Sequence, residues 1–205
     1  MILLAACTAG GGLEPAPRPR DSAGETGETG ETGDTGVRAG EARATFTGAV
    51  ATTDGWLGWS GDELRDQPVT GSITWATSGR DDDDRSDFGS YDRAGRGMTV
   101  ELAGHVVEGS GAGRVEIQDY TLDAFSFIDG DEEAFEDWPI MRLDGEETED
   151  LGVYFAIVDD DGSSLDGDGL PATFPFLEPR FQPHTFAIRD DDGYVLLKLD
   201  AIEAG

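Results

Sequence analysis

Between Arg43 and Gly205 the apolar residues recur at every second position in short runs, and clusters of Asp and Gly separate the runs. Period two is the repeat of a strand with one face buried, because successive side chains point to opposite sides of the pleat. Val69, Gly71, Ile73 and Trp75 alternate with Thr70, Ser72, Thr74 and Ala76, and Met98, Val100 and Leu102 alternate with Thr99 and Glu101. Further strands are expected at Thr45–Thr52, His105–Glu108, Arg114–Gln118, Ala124–Ile128, Trp138–Leu143, Val153–Val158, Thr185–Arg189 and Tyr194–Ile202. The run Val153–Val158 is apolar throughout, which predicts cover on both faces. Asp192-Gly193 between two strand patterns predicts a hairpin. The separators Ser78–Gly89, Gly109–Gly113, Asp129–Glu133, Asp159–Gly169 and Asp190–Gly193 are expected to be turns and loops. No window has the period of an amphipathic helix; the nearest, Asp131–Asp137, runs into Pro139. These features together predict an all-β domain over residues 43–205. The expected architecture is an antiparallel β-sandwich or jelly roll of about 8–10 strands, with a barrel as the alternative closure.

Residues 8–42 have no apolar period. Gly10–Gly12 precede Pro15, Pro17 and Pro19, and a three-residue acidic Thr-Gly repeat then runs from Glu25 to Gly36. Such a segment buries too little surface to offset its ordering entropy and is expected to be a disordered linker. Gly at every third position is not enough for a collagen helix without Pro in the repeat. As a free chain the linker would reach roughly 30–35 Å.

Charge narrows the partners. The chain carries 44 acidic against 14 basic residues, a formal net charge of −30. Residues 1–42 account for only −4 of this, so the domain itself is acidic. That balance argues against nucleic acid and against binding to anionic lipid headgroups through a basic patch. A single cysteine, Cys7, excludes an intrachain disulfide framework and a zinc–cysteine site.

Residues 1–7 read Met-Ile-Leu-Leu-Ala-Ala-Cys, far short of the roughly 20 apolar residues needed to span a bilayer. Leu4-Ala5-Ala6-Cys7 resembles the lipobox of bacterial lipoproteins, with residues 1–7 as a truncated signal peptide. The resemblance implies cleavage before Cys7 and lipidation of its sulfur. The acidic Thr-Gly linker is similar to linkers that follow the lipobox in lipoproteins of myxobacteria and their relatives. Within the domain, Val69-Thr70-Gly71-Ser72-Ile73-Thr74-Trp75, the aspartate loop after it, Phe88-Gly89-Ser90-Tyr91 and the strand at Met98–Leu102 follow a distinctive order. So do Phe155-Ala156-Ile157-Val158-Asp159-Asp160, Leu170-Pro171, Pro175–Leu177 and Thr185-Phe186-Ala187-Ile188. This order resembles a β-rich domain of secreted bacterial proteins, many of which carry a PEP-CTERM sorting signal. The resemblance implies an extracytoplasmic β-domain and brings no established chemistry with it.

Few residues carry a catalytic pattern. His105 and His184 stand apart without HExxH spacing or a nucleophile elbow, and are expected to be structural. With so many acidic residues, a pair of carboxylates suited to glycoside hydrolysis carries no information. Gly109-Ser110-Gly111-Ala112-Gly113 lacks the lysine of a phosphate loop and is expected to be a hairpin turn. Asp159, Asp161 and Ser163 have the one-three-five oxygen spacing of calcium loops, and Asp166 and Asp168 add two carboxylates. The competing role of such Asp loops is solvation and the protection of edge strands. Trp56 and Trp59 are candidates for stacking on a sugar ring, with core packing as the competing role. Phe135 and Trp138, bracketed by Glu132, Glu133, Glu136 and Asp137, are expected to anchor a long loop.

The expectation is a monomeric, non-enzymatic, lipid-anchored surface or adhesion-type module of the bacterial cell envelope, attached to the outer membrane or secreted. Its membrane contact would be the lipid on Cys7, and its partner a glycan or a surface protein. The alternative is a calcium-assisted carbohydrate-binding module, or a glycan-active enzyme, on the same scaffold.

Overall fold

The computed structural model describes residues 37–205, except 121–122, 131–139, 149–150, 160–161 and 177–185 and the side chains of residues 60 and 61. Cys7, most of the linker, Trp138 with its acidic neighbours, Asp161 and His184 therefore lie outside the described residues. Among those described there is no α-helix, and none long and apolar enough to cross a membrane. One 3-10 turn, Trp56–Gly58, interrupts the strands.

Among the described residues, thirteen strands form the domain. They are β1 (Glu41–Asp54), β2 (Ser60–Gly61), β3 (Pro68–Ala76), β4 (Phe88–Tyr91), β5 (Gly95–Leu102), β6 (His105–Glu108), β7 (Arg114–Asp119), β8 (Asp123–Asp129), β9 (Met141–Leu143), β10 (Glu146–Thr148), β11 (Gly152–Asp159), β12 (Phe186–Arg189) and β13 (Tyr194–Ala204). Every expected strand is present, with ends moved by a few residues where residues are described. The short β2, β4 and β10 exceed the expected count. All ladders are antiparallel and belong to one sheet of order β10-β9-β6-β5-β3-β1-β13-β12-β11-β8-β7-β4, with β2 paired to β1 off this path.

The sheet curls so that one face becomes the core. Val115, Phe127, Phe155, Phe186, Leu197 and Val50 are register partners across six neighbouring strands, and none is more than 1% exposed. A fully buried Phe of this kind contributes about 1.5–3 kcal/mol. From the other half of the curl, Trp75 of β3 meets Phe125 of β8 edge-on at 5.1 Å, although four strands separate them in the sheet. Gly95 at the start of β5 donates its N–H to Gly113 O at 2.8 Å, drawing the two halves together ahead of β7. A Cβ on Gly95 would stand 2.8 Å from Phe127 Cε2 and 2.9 Å from Gly113 Cα, so this approach requires glycine. The two facing layers of the expected sandwich are thus halves of one curled sheet.

Two expectations need correction. Gly109–Gly113 is not a hairpin turn, because β6 pairs with β5 and β9 while β7 pairs with β4 and β8. It is a crossover between the halves of the curl, fixed where Ser110 donates its N–H and hydroxyl to Asp129 at 3.0 and 2.5 Å. β11 is also not covered on both faces: Ala156 is buried outward, but Tyr154 is 46% exposed. The Asp192-Gly193 hairpin is present, joining β12 to β13 with Asp190 Oδ1 accepting the N–H groups of both Asp192 and Gly193.

The edge strand β4 explains one aspartate cluster. Asp82 donates its N–H to Ser90 O, and Asp81 Oδ1 accepts from Ser90 N–H, so the acidic loop folds back over the ladder groups that β4 would otherwise offer. Covering an edge in this way prevents pairing with another chain.

Candidate functional site

An open cleft of about 580 Å³ lies between the connection from β1 to β3 and the hairpin of β5 and β6. Trp59, Glu63 and Gln67 come from the connection, Thr70 from β3, and Glu101 and His105 from the hairpin. Thr70 and Glu101 are register partners, and Glu101 in turn pairs with Val106, so these three side chains share one face of the sheet.

Turn geometry fixes the rest. Ala103 and Gly104 both have positive φ, at 50° and 86°, and link Leu102 to its partner His105 in a two-residue loop. This is the type I′ pattern, whose twist matches that of the flanking strands. Asp144 and Gly145, with φ of 54° and 85°, form the equivalent turn between β9 and β10. Because β6 pairs with β9, the two turns are brought together. Asp144 Oδ2 lies 2.8 Å from His105 Nδ1, and Asp144 Oδ1 accepts the Val106 N–H at 2.8 Å. A carboxylate only accepts, so Nδ1 carries the proton and the ring is held in one orientation at the cleft wall. The hydrogen bond from His105, and then that from the Val106 amide, hold the Asp144 carboxyl below its ordinary range.

The two candidate tryptophans part company. Gly55 (φ 81°) turns the chain against the β12–β13 hairpin, where a Cβ would stand 2.2 Å from Asp192 O. That turn sends Trp56 into the core at 0% exposure, edge-on to His105 at 6.2 Å. Burial removes Trp56 as a surface for stacking. Trp59, three residues on, packs only partly against the core and lines the cleft.

Of the candidate calcium residues, Asp161 lies outside the described residues. Asp159 Oδ2 accepts from Ser164 Oγ at 2.5 Å, Asp166 is exposed, and Asp168 is engaged through its backbone carbonyl, which accepts from Tyr91 OH at 3.0 Å. Among the described residues, no three His, Cys, Asp or Glu side chains are grouped to hold a metal ion. The loop is stapled by two aspartates that stand outside the one-three-five spacing. Asp119 Oδ2 accepts from Gly167 N–H at 2.6 Å, and Asp123 Oδ2 accepts from both Ser164 and Leu165 N–H at 2.7 Å. Parity was the available signal: Asp119 follows Ile117, and Asp123 precedes Phe125, at inward-facing positions of period-two strands.

The cleft offers one indole, two carboxylates, a carboxamide, a hydroxyl and an oriented imidazole. Among the described residues no Lys or Arg lines it, so its chemistry suits an uncharged, hydroxyl-rich ligand better than an anion. No protein-family model, curated protein or solved structure matches this chain.

Proposed function

We propose that this chain is a non-enzymatic, lipid-anchored surface module of the bacterial cell envelope that binds a neutral glycan in the Trp59 cleft. The observation that carries the reading is the position of Trp59 beside Gln67, Thr70, Glu63, Glu101 and His105 in one open cleft. An aromatic face packs against the C–H edges of a sugar ring, while carboxylate, amide and hydroxyl groups exchange hydrogen bonds with its hydroxyls. The acidity of the domain would keep the module away from anionic headgroups, and the linker would hold it clear of the membrane carrying the lipid on Cys7.

Affinity electrophoresis through gels containing neutral polysaccharides, followed by titration of the polysaccharide that retards the chain, tests the binding. Trp59→Ala should weaken retention by about 10- to 100-fold, the size expected for an aromatic anchor. Equal retention of wild type and variant, or no retention by any neutral polysaccharide, refutes the reading. Release of reducing ends from the bound polysaccharide would refute its non-enzymatic part. The anchor is tested separately by fractionating cells that express Cys7→Ala behind a complete upstream signal; unchanged membrane association counts against lipidation.

A further inference from the structure

Beyond the cleft, we infer that the closed end of the core near Asp123 and Asp159 is a divalent-cation site, of the hard, oxygen-liganded kind that suits calcium. Inward-facing residues of β7, β8 and β11 form successive rows. Val115–Phe127–Phe155 and Ile117–Phe125–Ile157 are apolar, and the last row is Asp119–Asp123–Asp159. Register partners on one face have Cβ atoms about 4.5–5.5 Å apart, so the apolar rows end in a row of carboxylates. Such a row is unfavourable unless donors or a cation answer it.

The loop answers part of it. Asp119 takes one backbone N–H, Asp123 Oδ2 takes two, and the Ser164 hydroxyl reaches Asp159. The remaining oxygen of Asp123 stays unanswered. Asp123 is 0% exposed, and its Oδ1 is buried without a hydrogen-bond partner. Among the described residues neither Asp119 nor Asp123 forms an ion pair with Arg or Lys. A carboxylate oxygen withdrawn from water with no donor in reach is unfavourable, and a cation supplies what it lacks. Asp123 and Asp159 both bond to Ser164, one through its amide and one through its hydroxyl, so their carboxylates flank the same residue of the loop. Two carboxylates meet only part of the six to eight oxygens calcium takes; loop carbonyls, serine hydroxyls and water complete such shells. The ligand set thus centres on Asp123, which the one-three-five spacing of the loop does not contain.

The test uses the full chain after chelator treatment and calcium chloride alone. Calorimetric titration should give binding with a Kd of about 10⁻⁴–10⁻³ M, the range of extracellular modules. At ten times Kd, Tm should rise by about 3–6 °C. Hydrogen exchange of wild-type amides at Ser164 and Leu165 should slow on adding calcium. Asp123→Asn should abolish the heat and the Tm shift, whereas Asp166→Asn, on the exposed side of the loop, should keep both. If Asp123→Asn does not fold, Asp159→Asn is expected to show the same loss, and the wild-type exchange pattern still locates the ion. Absence of heat and of any Tm shift in the wild type overturns the inference. So does a full response in Asp123→Asn, or equal loss in Asp166→Asn. None of these readouts involves the glycan cleft, so the two proposals stand or fall separately.

Discussion

Trp75 joins the sheet both to its facing half, at Phe125, and to the 170–176 segment, at Pro171 and Phe174, and replacing it with Phe measures that junction. The indole is 0% exposed, meets Phe125 at 5.1 Å and Phe174 at 6.2 Å, and donates Nε1–H to Pro171 O at 2.9 Å. Phe keeps a ring in the site, so the loss has two parts. The missing ring atoms and the cavity they leave cost about 1 kcal/mol. The stranded Pro171 carbonyl, half-buried, adds about 1–2 kcal/mol. The expected total is about 2–3 kcal/mol, read as a lower urea midpoint at unchanged m-value by far-UV circular dichroism. For a domain of this size that corresponds to a Tm lower by about 4–12 °C. Trp59→Phe is the control; Trp59 is only partly buried, so its change should stay within about 0.5 kcal/mol. A cycle with Phe174→Leu should give a coupling of at least about 0.5 kcal/mol, because the two rings share one contact. A loss below about 0.5 kcal/mol for Trp75→Phe, or additivity with Phe174→Leu, would refute the claim that Trp75 joins the sheet to the 170–176 segment.

Gly95→Ala and Gly97→Ala lie two residues apart in β5 and should differ sharply. The first drives a Cβ into Phe127 and Gly113 and should cost about 1–3 kcal/mol, while the second meets nothing within 4 Å and should cost less than about 1 kcal/mol in the same urea melts. Asp129 is buried, and burial raises its carboxyl pKa despite the hydrogen bonds from Ser110. A raised pKa means the folded state holds the proton more tightly than the unfolded state, so this group's contribution declines as pH rises from the ordinary carboxylate range through its folded value. Wild type should therefore lose stability relative to Asp129→Asn across that window, and a pH-independent difference in urea midpoints would contradict it. The Asp144 carboxyl is depressed mainly by His105. Its contribution is present above the ordinary carboxylate range and is lost as pH falls through the lower folded value. Carboxyl carbon shifts in His105→Ala should move the Asp144 titration upward, and an unchanged titration would exclude the pair as the cause.

Much of the fold was legible along the chain. Period two located ten of the strands and assigned their buried faces, as at Val69, Ile73 and Trp75 or at Phe125 and Phe127. Asp192-Gly193 marked its hairpin, and Asp144-Gly145 carries the same signal for β9 and β10. The candidate site was half legible. Trp56 and Trp59 have the same local composition around them, and only the left-handed Gly55 turn against Asp192 sends one into the core and leaves the other at the cleft. Asp119 and Asp123 fall just outside the expected strands Arg114–Gln118 and Ala124–Ile128, and their role was not legible because their partners, the amides of residues 164–167, lie over forty positions away.

By itself the sequence determined what each residue can tell its neighbours: strand period, inward face, turn chemistry and the acidity of the domain, all set within a few bonds by sterics and by the need to bury apolar surface. The tertiary structure alone decided which strands pair, that β1 lies against β13, that Gly109–Gly113 crosses between halves of the curl, and that Asp123 ends buried beside Asp159. Backbone ladder bonds are the same for every sequence, so pairing is chosen by how whole faces pack, and that information is spread over the chain rather than written at any one position.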